Sequence, residues 1–329
     1  MKPFDYHIAS SLESALSLRN ESASYIAGGT NEVDLMKKHI HQPDALVDVN
    51  GVLSAEIRPD NNGIEIGAVV KNSILAEDRE IAEKYPLISE AILAGASPQI
   101  RNMATTAGNL MQRTRCPYFY DTALPCNKRS PGSGCGAAKG DNSHAAIIGA
   151  SSECVAVHPS DLCVALVALD AEVRITEKDG SEKSIPFTDF HRLPGARPQL
   201  DTNLPEGSLI TSVYVPGNEF YEHYAYLKIR ERSEYAFALV SVAAALVLDE
   251  NNIIKNARLA SGGVAHKPWR WEEAEAFLTD RKASRSNFEE AAEICVDQTE
   301  PMEHNAYKVT LLRGAIETAL VHCMDFKKG

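Results

Sequence analysis

Four cysteines, Cys116, Cys126, Cys135 and Cys154, fall within residues 105–161, a stretch with no clear helical or strand periodicity. Pro117, Pro125, Pro131, Gly132 and Gly134 lie between the first and third of them, so the segment reads as a loop. A loop of this length inside a compact domain is either functional or disordered, and clustered thiols argue for function. Four thiolates are the ligand set of a four-iron cluster, which would stand in for the apolar core that such a segment lacks. Zinc is the nearest chemical rival. Structural zinc, however, takes its cysteines in closely spaced pairs, and here the gaps are nine, eight and eighteen residues. A set of unrelated free or disulfide-bonded cysteines is the plain alternative. Cys163 competes with Cys154 for the fourth position, but it sits in the apolar run LCVALVAL and reads as a packing residue.

The rest of the composition narrows the class. At 329 residues the chain has room for two or three domains with proper cores. Its 44% hydrophobic and 24% charged residues are those of an ordinary globular protein. A net charge of −12 without a dense run of Lys and Arg argues against a nucleic-acid partner. The longest apolar run, residues 236–248, is interrupted by Ser241 and is too short for a membrane span. No apolar signal core follows the N-terminal MKPFDYHIASS. Seven cysteines, mostly gathered in one loop, do not resemble a secreted disulfide framework.

In chain order, Ser10 and Glu13 form a capping box for a helix through residue 18. A strand over 24–26 runs into Ala27-Gly28-Gly29-Thr30-Asn31, followed by a helix over 32–39 and a strand over 46–49. Glycines at such a turn let backbone amides approach a phosphate. The third glycine of a nicotinamide fingerprint is missing, although Asp48 stands where its ribose-binding acid would be. A second small-residue turn, residues 105–109, completes a pair of loops suited to a dinucleotide. Between the loops come a strand over 63–68, a helix over 72–85 capped by Asn72-Ser73, and a helix over 86–94 opened by Pro86. Ser160 or Asp161 caps a helix through 169, and Asp161 doubles as an acceptor for ligand hydroxyls. Strands over 171–176 and 182–185 flank the Asp179-Gly180 turn, and another strand covers 208–215. Pro216-Gly217-Asn218 marks the main boundary. Beyond it come strands over 224–229, 236–248 and 253–260, then helices over 269–279, 287–296 and 306–323, the pattern of an α+β domain. His7, His39 and His41 lack evident partners and read as solvated. His158 either approaches a cofactor or shapes the turn before Pro159, and Trp269 and Trp271 read as packing residues.

At this point the residues match a known family. IAGGTNEVDLM (26–36), TTAGNL (105–110), HPSDLCVALVALDAEV (158–173), EGSLI (206–210), KIRERSEYAFALVSVAAAL (228–246) and GGVAHKPWR (262–270) resemble the FAD-binding medium subunits of the xanthine dehydrogenase family of molybdenum hydroxylases. The likeness spans nearly the whole chain. It implies an α+β fold with a two-subdomain FAD-binding domain of the vanillyl-alcohol-oxidase type over 1–217. A smaller α+β domain like the C-terminal domain of CO dehydrogenase flavoproteins would follow over 218–329. The cysteine segment is then an insertion over 112–157. It is similar to one in the flavoprotein of bacterial periplasmic aldehyde oxidoreductases, with TRCPYFYDT and PCNKR as distinctive runs, and to one in 4-hydroxybenzoyl-CoA reductase.

The resemblance places FAD contacts on Ile26, Ala27, Gly28, Gly29, Thr30, Asn31 and Glu32 and on Thr105, Gly108 and Asn109, with both loops at the pyrophosphate. Asp161 falls at the ribityl or ribose hydroxyls, and Ala96, Ile210 and Lys228 fall near the flavin ring. Ala107 stands where the family often has glycine, and Glu234, where aspartate is common, receives no role. The implied protein is an electron-transfer subunit carrying FAD and a [4Fe–4S] cluster held by Cys116, Cys126, Cys135 and Cys154. Its expected partners are a large subunit with a molybdenum cofactor, which oxidises an aldehyde, a small [2Fe–2S] subunit, and an external electron acceptor. Lys128 and Arg129 would raise the cluster potential if they lay close to it. Two rivals stand beside this reading: a CoA-thioester reductase with reversed electron flow, and a zinc-stapled interaction protein without redox work. The subunit is expected in the periplasm, as passenger of a signal-bearing partner, or in the cytoplasm.

Overall fold

The computed structural model describes residues 1–233 and 235–325; Glu234 lies outside them. Three sheets organise the chain. The first is parallel, β1 (Asp5–Ile8), β2 (Ala23–Ile26) and β3 (Ala45–Asp48), in the order β1-β3-β2. Its helix Leu12–Leu18 is capped by Ser11, whose hydroxyl accepts from the Ser14 amide at 3.0 Å, one residue later than the Ser10 box predicts. Position 11 is the last with extended backbone, and that conformation rather than the sequence motif selects the cap.

The second sheet is antiparallel and holds β4 (Ile57–Asp60), β5 (Gly63–Gly67), β6 (Glu172–Thr176), β7 (Glu182–Pro186) and β8 (Leu209–Pro216), in the order β4-β5-β8-β6-β7. Strands β5 and β8 are neighbours although some 140 residues separate them in the chain. Ile64, Ile66, Val173, Ile175, Val213 and Val215 alternate onto one face and form the main core with the helices Pro86–Ala94 and Asp161–Ala168. The other face is polar. There Glu65 accepts from Ser212 and Arg174 and pairs with Arg58.

The third sheet is β9 (His223–Ile229), β10 (Val240–Leu248), β11 (Ile254–Gly262) and β12 (Trp269–Arg270), in the order β12-β11-β10-β9. Strand β10 is buried on both faces, which accounts for the apolar run at 236–248. Val240, Val242, Ala244 and Leu246 meet the C-terminal helices Glu272–Leu278, Arg285–Val296 and Tyr307–His322, whereas Ala243 and Ala245 join the core of the FAD-type domain. The two domains therefore share this sheet as a common wall.

Three sequence expectations need correcting. The helix over 72–85 is broken into Asn72–Glu77 and Arg79–Lys84, because Asp78 turns extended and caps the second piece through the Ile81 amide at 3.0 Å. Strand β10 starts at Val240, four residues after the apolar run begins. Trp269 and Arg270 are strand rather than helix: they pair with Ser261 and Ala260, and the helix begins at Glu272. Local pattern favoured helix there, and the free edge of β11 overrode it. The α+β class itself is what the chain adopts.

Candidate functional site

The first small-residue loop leaves the C-terminal end of β2. A Cβ on Gly28 would stand 2.1 Å from the Met103 carbonyl oxygen, so only glycine lets this loop touch the chain entering the second loop. Gly29 has φ +70°, a conformation that costs any other residue strain. The amides of Gly29, Thr30 and Asn31 meet no protein acceptor among the described residues. Asn31 Oδ1 accepts from the Arg113 amide at 3.0 Å, which leaves Asn31 Nδ2 buried without a partner. Free amides beside an orphaned buried donor suit an anionic ligand oxygen. Glu32 is engaged with His41, whose Nδ1 lies 2.7 Å from Glu32 Oε1, so His41 does have a carboxylate partner. Asp48 accepts from Tyr6 Oη and from the Asn50 amide, and as a brace of the sheet it has no role as a ribose acid.

The second loop is built differently. The Thr106, Ala107 and Asn109 amides donate to Val70, Ala68 and Thr105 carbonyls, and the Thr105 hydroxyl accepts from the Gly108 amide. The amides of residues 106–109 are thus already satisfied. What it presents is the exposed Gly108 and the Asn109 amide group, whose Oδ1 accepts from Ser160 Oγ at 2.5 Å. Ser160 also caps the helix Asp161–Ala168 through the Cys163 amide, so the loop and that helix are positioned together.

Asp161 and Lys228 fall at separate points of the flavin in the family pattern, and the fold joins them directly. Lys228 Nζ donates to Asp161 Oδ2 at 2.8 Å, Tyr226 Oη donates to Oδ1 at 2.8 Å, and both charged side chains are buried. Lys228 and Arg230 also donate to the carbonyl of Ala94, at 3.2 and 3.1 Å, at the end of the helix Pro86–Ala94. Cations there satisfy an orphan carbonyl and complement the helix dipole. Burial, and then the Asp161 carboxylate, hold the Tyr226 phenol well above its usual range. Ala96, just beyond that helix, is exposed with φ +53°. Ile210 is buried in the main core beside Ile175, so its side chain is a packing element. Sequence reasoning missed Tyr226; its alternation with Lys228 along β9 was the available signal.

Cys116, Cys126, Cys135 and Cys154 together line one small cavity, although they belong to four turns of the chain. Cys126 and Cys135 face each other across an isolated bridge, backed by Asn127 N to Gly134 O and Gly136 N to Pro125 O. Short helices, Pro117–Tyr120 and Gly136–Lys139, interrupt what the breakers suggested was all loop. Cys116, Cys126, Cys135 and Cys154 form no disulfide. Burial pushes the Cys154 thiol up to about 11, and Cys116 is raised for the same reason. Four thiols lining one cavity are a donor set that a zinc ion or an iron–sulfur cluster could use. The cavity, about 10 Å³, is no larger than a single water molecule needs.

Charged residues pin this segment. Lys128 is buried, pairs with Asp201 and donates to the Pro198 carbonyl, while Arg113 Nε bonds Asp201 Oδ2 at 2.7 Å. Burial alone would raise the Asp201 carboxyl, but Arg113 and Lys128 hold it well below the usual carboxylate range. Lys128 also acts electrostatically on Cys154, whereas Arg129 is spent on the Tyr118, Phe119 and Leu124 carbonyls as a brace. At the far end, Asn305 and the buried Lys308 donate to the Ala145 carbonyl, tying the insertion to the C-terminal domain.

The free-amide loop, its neighbour and the buried acid–lysine pair all involve the first part of a chain that two family models divide. Residues 2–218 match the family model described as the FAD binding domain in molybdopterin dehydrogenase, and 225–322 match the CO dehydrogenase flavoprotein C-terminal domain. The chain belongs to this family, as an FAD-binding medium subunit of the molybdenum hydroxylases and so an oxidoreductase subunit. It is 45% identical to the aldehyde oxidoreductase FAD-binding subunit PaoB of Escherichia coli (strain K12), over 97% of this chain and 98% of that protein. It is 26% identical to the glyceraldehyde dehydrogenase medium chain of Sulfolobus acidocaldarius, over 91% of this chain and 89% of the relative. A chain of carbon monoxide dehydrogenase from Hydrogenophaga pseudoflava shares the fold, with TM-score 0.76 over 98% of each chain at 21% identity. No helix among the described residues is long and apolar enough to cross a membrane.

Proposed function

We propose that this chain is the electron-transfer subunit of a molybdenum-dependent aldehyde oxidoreductase, holding FAD between its two loops and a [4Fe–4S] cluster in the cysteine cavity. The convergence of Cys116, Cys126, Cys135 and Cys154 on one cavity carries the cluster assignment. The likeness to the aldehyde oxidoreductase subunit over nearly the whole chain supports the aldehyde as substrate. Bound FAD would supply the switch between two-electron and one-electron chemistry, and the cluster would supply one-electron storage. The residues of the chain do the rest. The Gly29, Thr30 and Asn31 amides and Asn31 Nδ2 hold the pyrophosphate. Asp161, fixed by Tyr226 and Lys228, stands at the ribityl or ribose hydroxyls, and Lys228 brings positive charge to the flavin side.

The partners in this reading are a large subunit with the molybdenum cofactor, a small [2Fe–2S] subunit and an external acceptor. The complex is exported folded with a signal borne by the small subunit, and this chain travels as its passenger. Purification with the neighbouring subunits, followed by flavin, iron and sulfide analysis, tests the assignment. About four irons and one FAD per chain are expected, and zinc in place of iron would overturn the cluster. Cell fractionation with and without the small-subunit gene tests export, and cytoplasmic protein in both cases would refute it.

A further inference from the structure

Behind the cysteine cavity lies a second constellation that the flavin and cluster reading leaves unused. The ligating atoms of His158, Cys163 and His191 lie within 4.8 Å of one another, and all three residues are buried. The two imidazole rings are 4.3 Å apart between centroids. His191 Nε2 lies 2.9 Å from the Leu110 carbonyl, which accepts only from N–H, so Nδ1 carries the lone pair. That Nδ1, and Nε2 of His158, have no hydrogen-bond partner. Two orphaned imidazole nitrogens are costly in a dry interior unless something binds them. A carbonyl fixing the outer nitrogen of a histidine is also how metal-bound imidazoles are oriented.

We propose that His158, Cys163 and His191 form a three-coordinate site for a single copper(I) ion. Two imidazoles and one thiolate are a soft donor set of the kind that selects copper. Charge decides between copper(I) and zinc. With Cys163 as thiolate and both histidines neutral, copper(I) leaves the buried site uncharged, whereas zinc(II) leaves a net positive charge that burial penalises. Asp201 lies near enough to act on both histidines, but its charge is already matched by Arg113 and Lys128, so it does not offset a second positive charge. Binding replaces the sulfur–hydrogen bond of Cys163 with a sulfur–copper bond and releases one proton, with no change in oxidation state. The ion would tie the helix Asp161–Ala168 to His191 and, through Leu110, to the end of the second loop.

The test uses the full chain carrying its FAD and iron, so that the four loop cysteines are occupied. Buffered copper(I) is supplied anaerobically, and copper retained after gel filtration is measured, with X-ray absorption at the copper edge. About one copper per chain, with one sulfur and two nitrogen ligands, is expected. Cys163→Ala and His191→Gln should each lower retention at least about tenfold, with flavin and iron contents unchanged. As a check independent of the variants, copper(I) should raise the melting temperature of the unmodified chain. No retained copper and no shift in melting would overturn the proposal. Equal retention by Cys163→Ala, or preferential retention of zinc under competition, would overturn it as well.

Discussion

The flavin-side loops and the cysteine segment are neighbours in sequence, yet they are held in opposite ways. Leu110, Leu162 and the partly buried Ala107 root the second loop and the Asp161 helix in the main core, with Leu87, Ile88 and Val213 behind them. Apart from Ile147 and Ile148, which join the C-terminal core, the cysteine segment has two small apolar groups, Leu35, Phe119 and Cys126 in one and Ala137, Ala145 and Val155 in the other. It relies instead on buried charges, on Arg129 bonding three carbonyls, and on Asn305 and Lys308 from the C-terminal domain. Apolar burial is non-directional and holds regardless of ligand. A segment stapled by polar groups depends on each staple.

That difference can be tested most severely at the thiols. Cys154→Ser should lose most of the iron and open residues 115–150 to protease, while the domain core still melts cooperatively; iron analysis and limited proteolysis read both. Retained iron would remove the contrast between the regions. On the other side, Gly108→Val should strip most of the flavin, read by absorbance after gel filtration. A side chain there meets only Thr105 Oγ1, at 2.9 Å, before entering the open face. Gly29→Val is the poorer probe, because φ +70° strains that variant with or without a ligand.

Lys228→Met should cost about 3–5 kcal/mol in denaturant unfolding, since it strands the buried Asp161 carboxylate. Asp161→Asn in the same chain should recover much of that loss, and failure to recover would mean that the pair is not coupled. Acid should act selectively on the cysteine segment. The depressed Asp201 carboxyl contributes stability that is complete above the usual carboxylate value of about 4 and drains as pH falls below it. Protease sensitivity of residues 115–150 should therefore rise below about pH 4, and Asp201→Asn should show it already at neutral pH. The smallest effect is expected for Cys163→Ser, which should keep all its iron and cost about 1–2 kcal/mol for a buried polar swap. Iron lost there but kept in Cys154→Ser would exchange their roles.

Much of this was legible in the residues. Pro86 opened a helix over 86–94 whose ends the structure reproduces, and Gly28-Gly29 announced a tight loop that does carry free amides. The difference between the two loops was not legible, because whether an amide is free depends on a distant carbonyl such as that of Val70 or Ala68. Nor was the strand at Trp269, which exists because β11 offers an edge.

By itself the sequence determined the elements with strong local signals: the apolar alternation of β5, the proline-started helix, the Asp179-Gly180 turn and the breaker-rich cysteine segment. Tertiary structure alone decided which distant groups meet. It paired Asp161 with Lys228, brought four scattered thiols to one cavity, and set His158 against His191. The physical reason is that backbone propensity and side-chain periodicity act over a few residues. Burial of charge and of orphaned polar atoms is instead resolved between segments tens of residues or more apart, wherever packing brings them together.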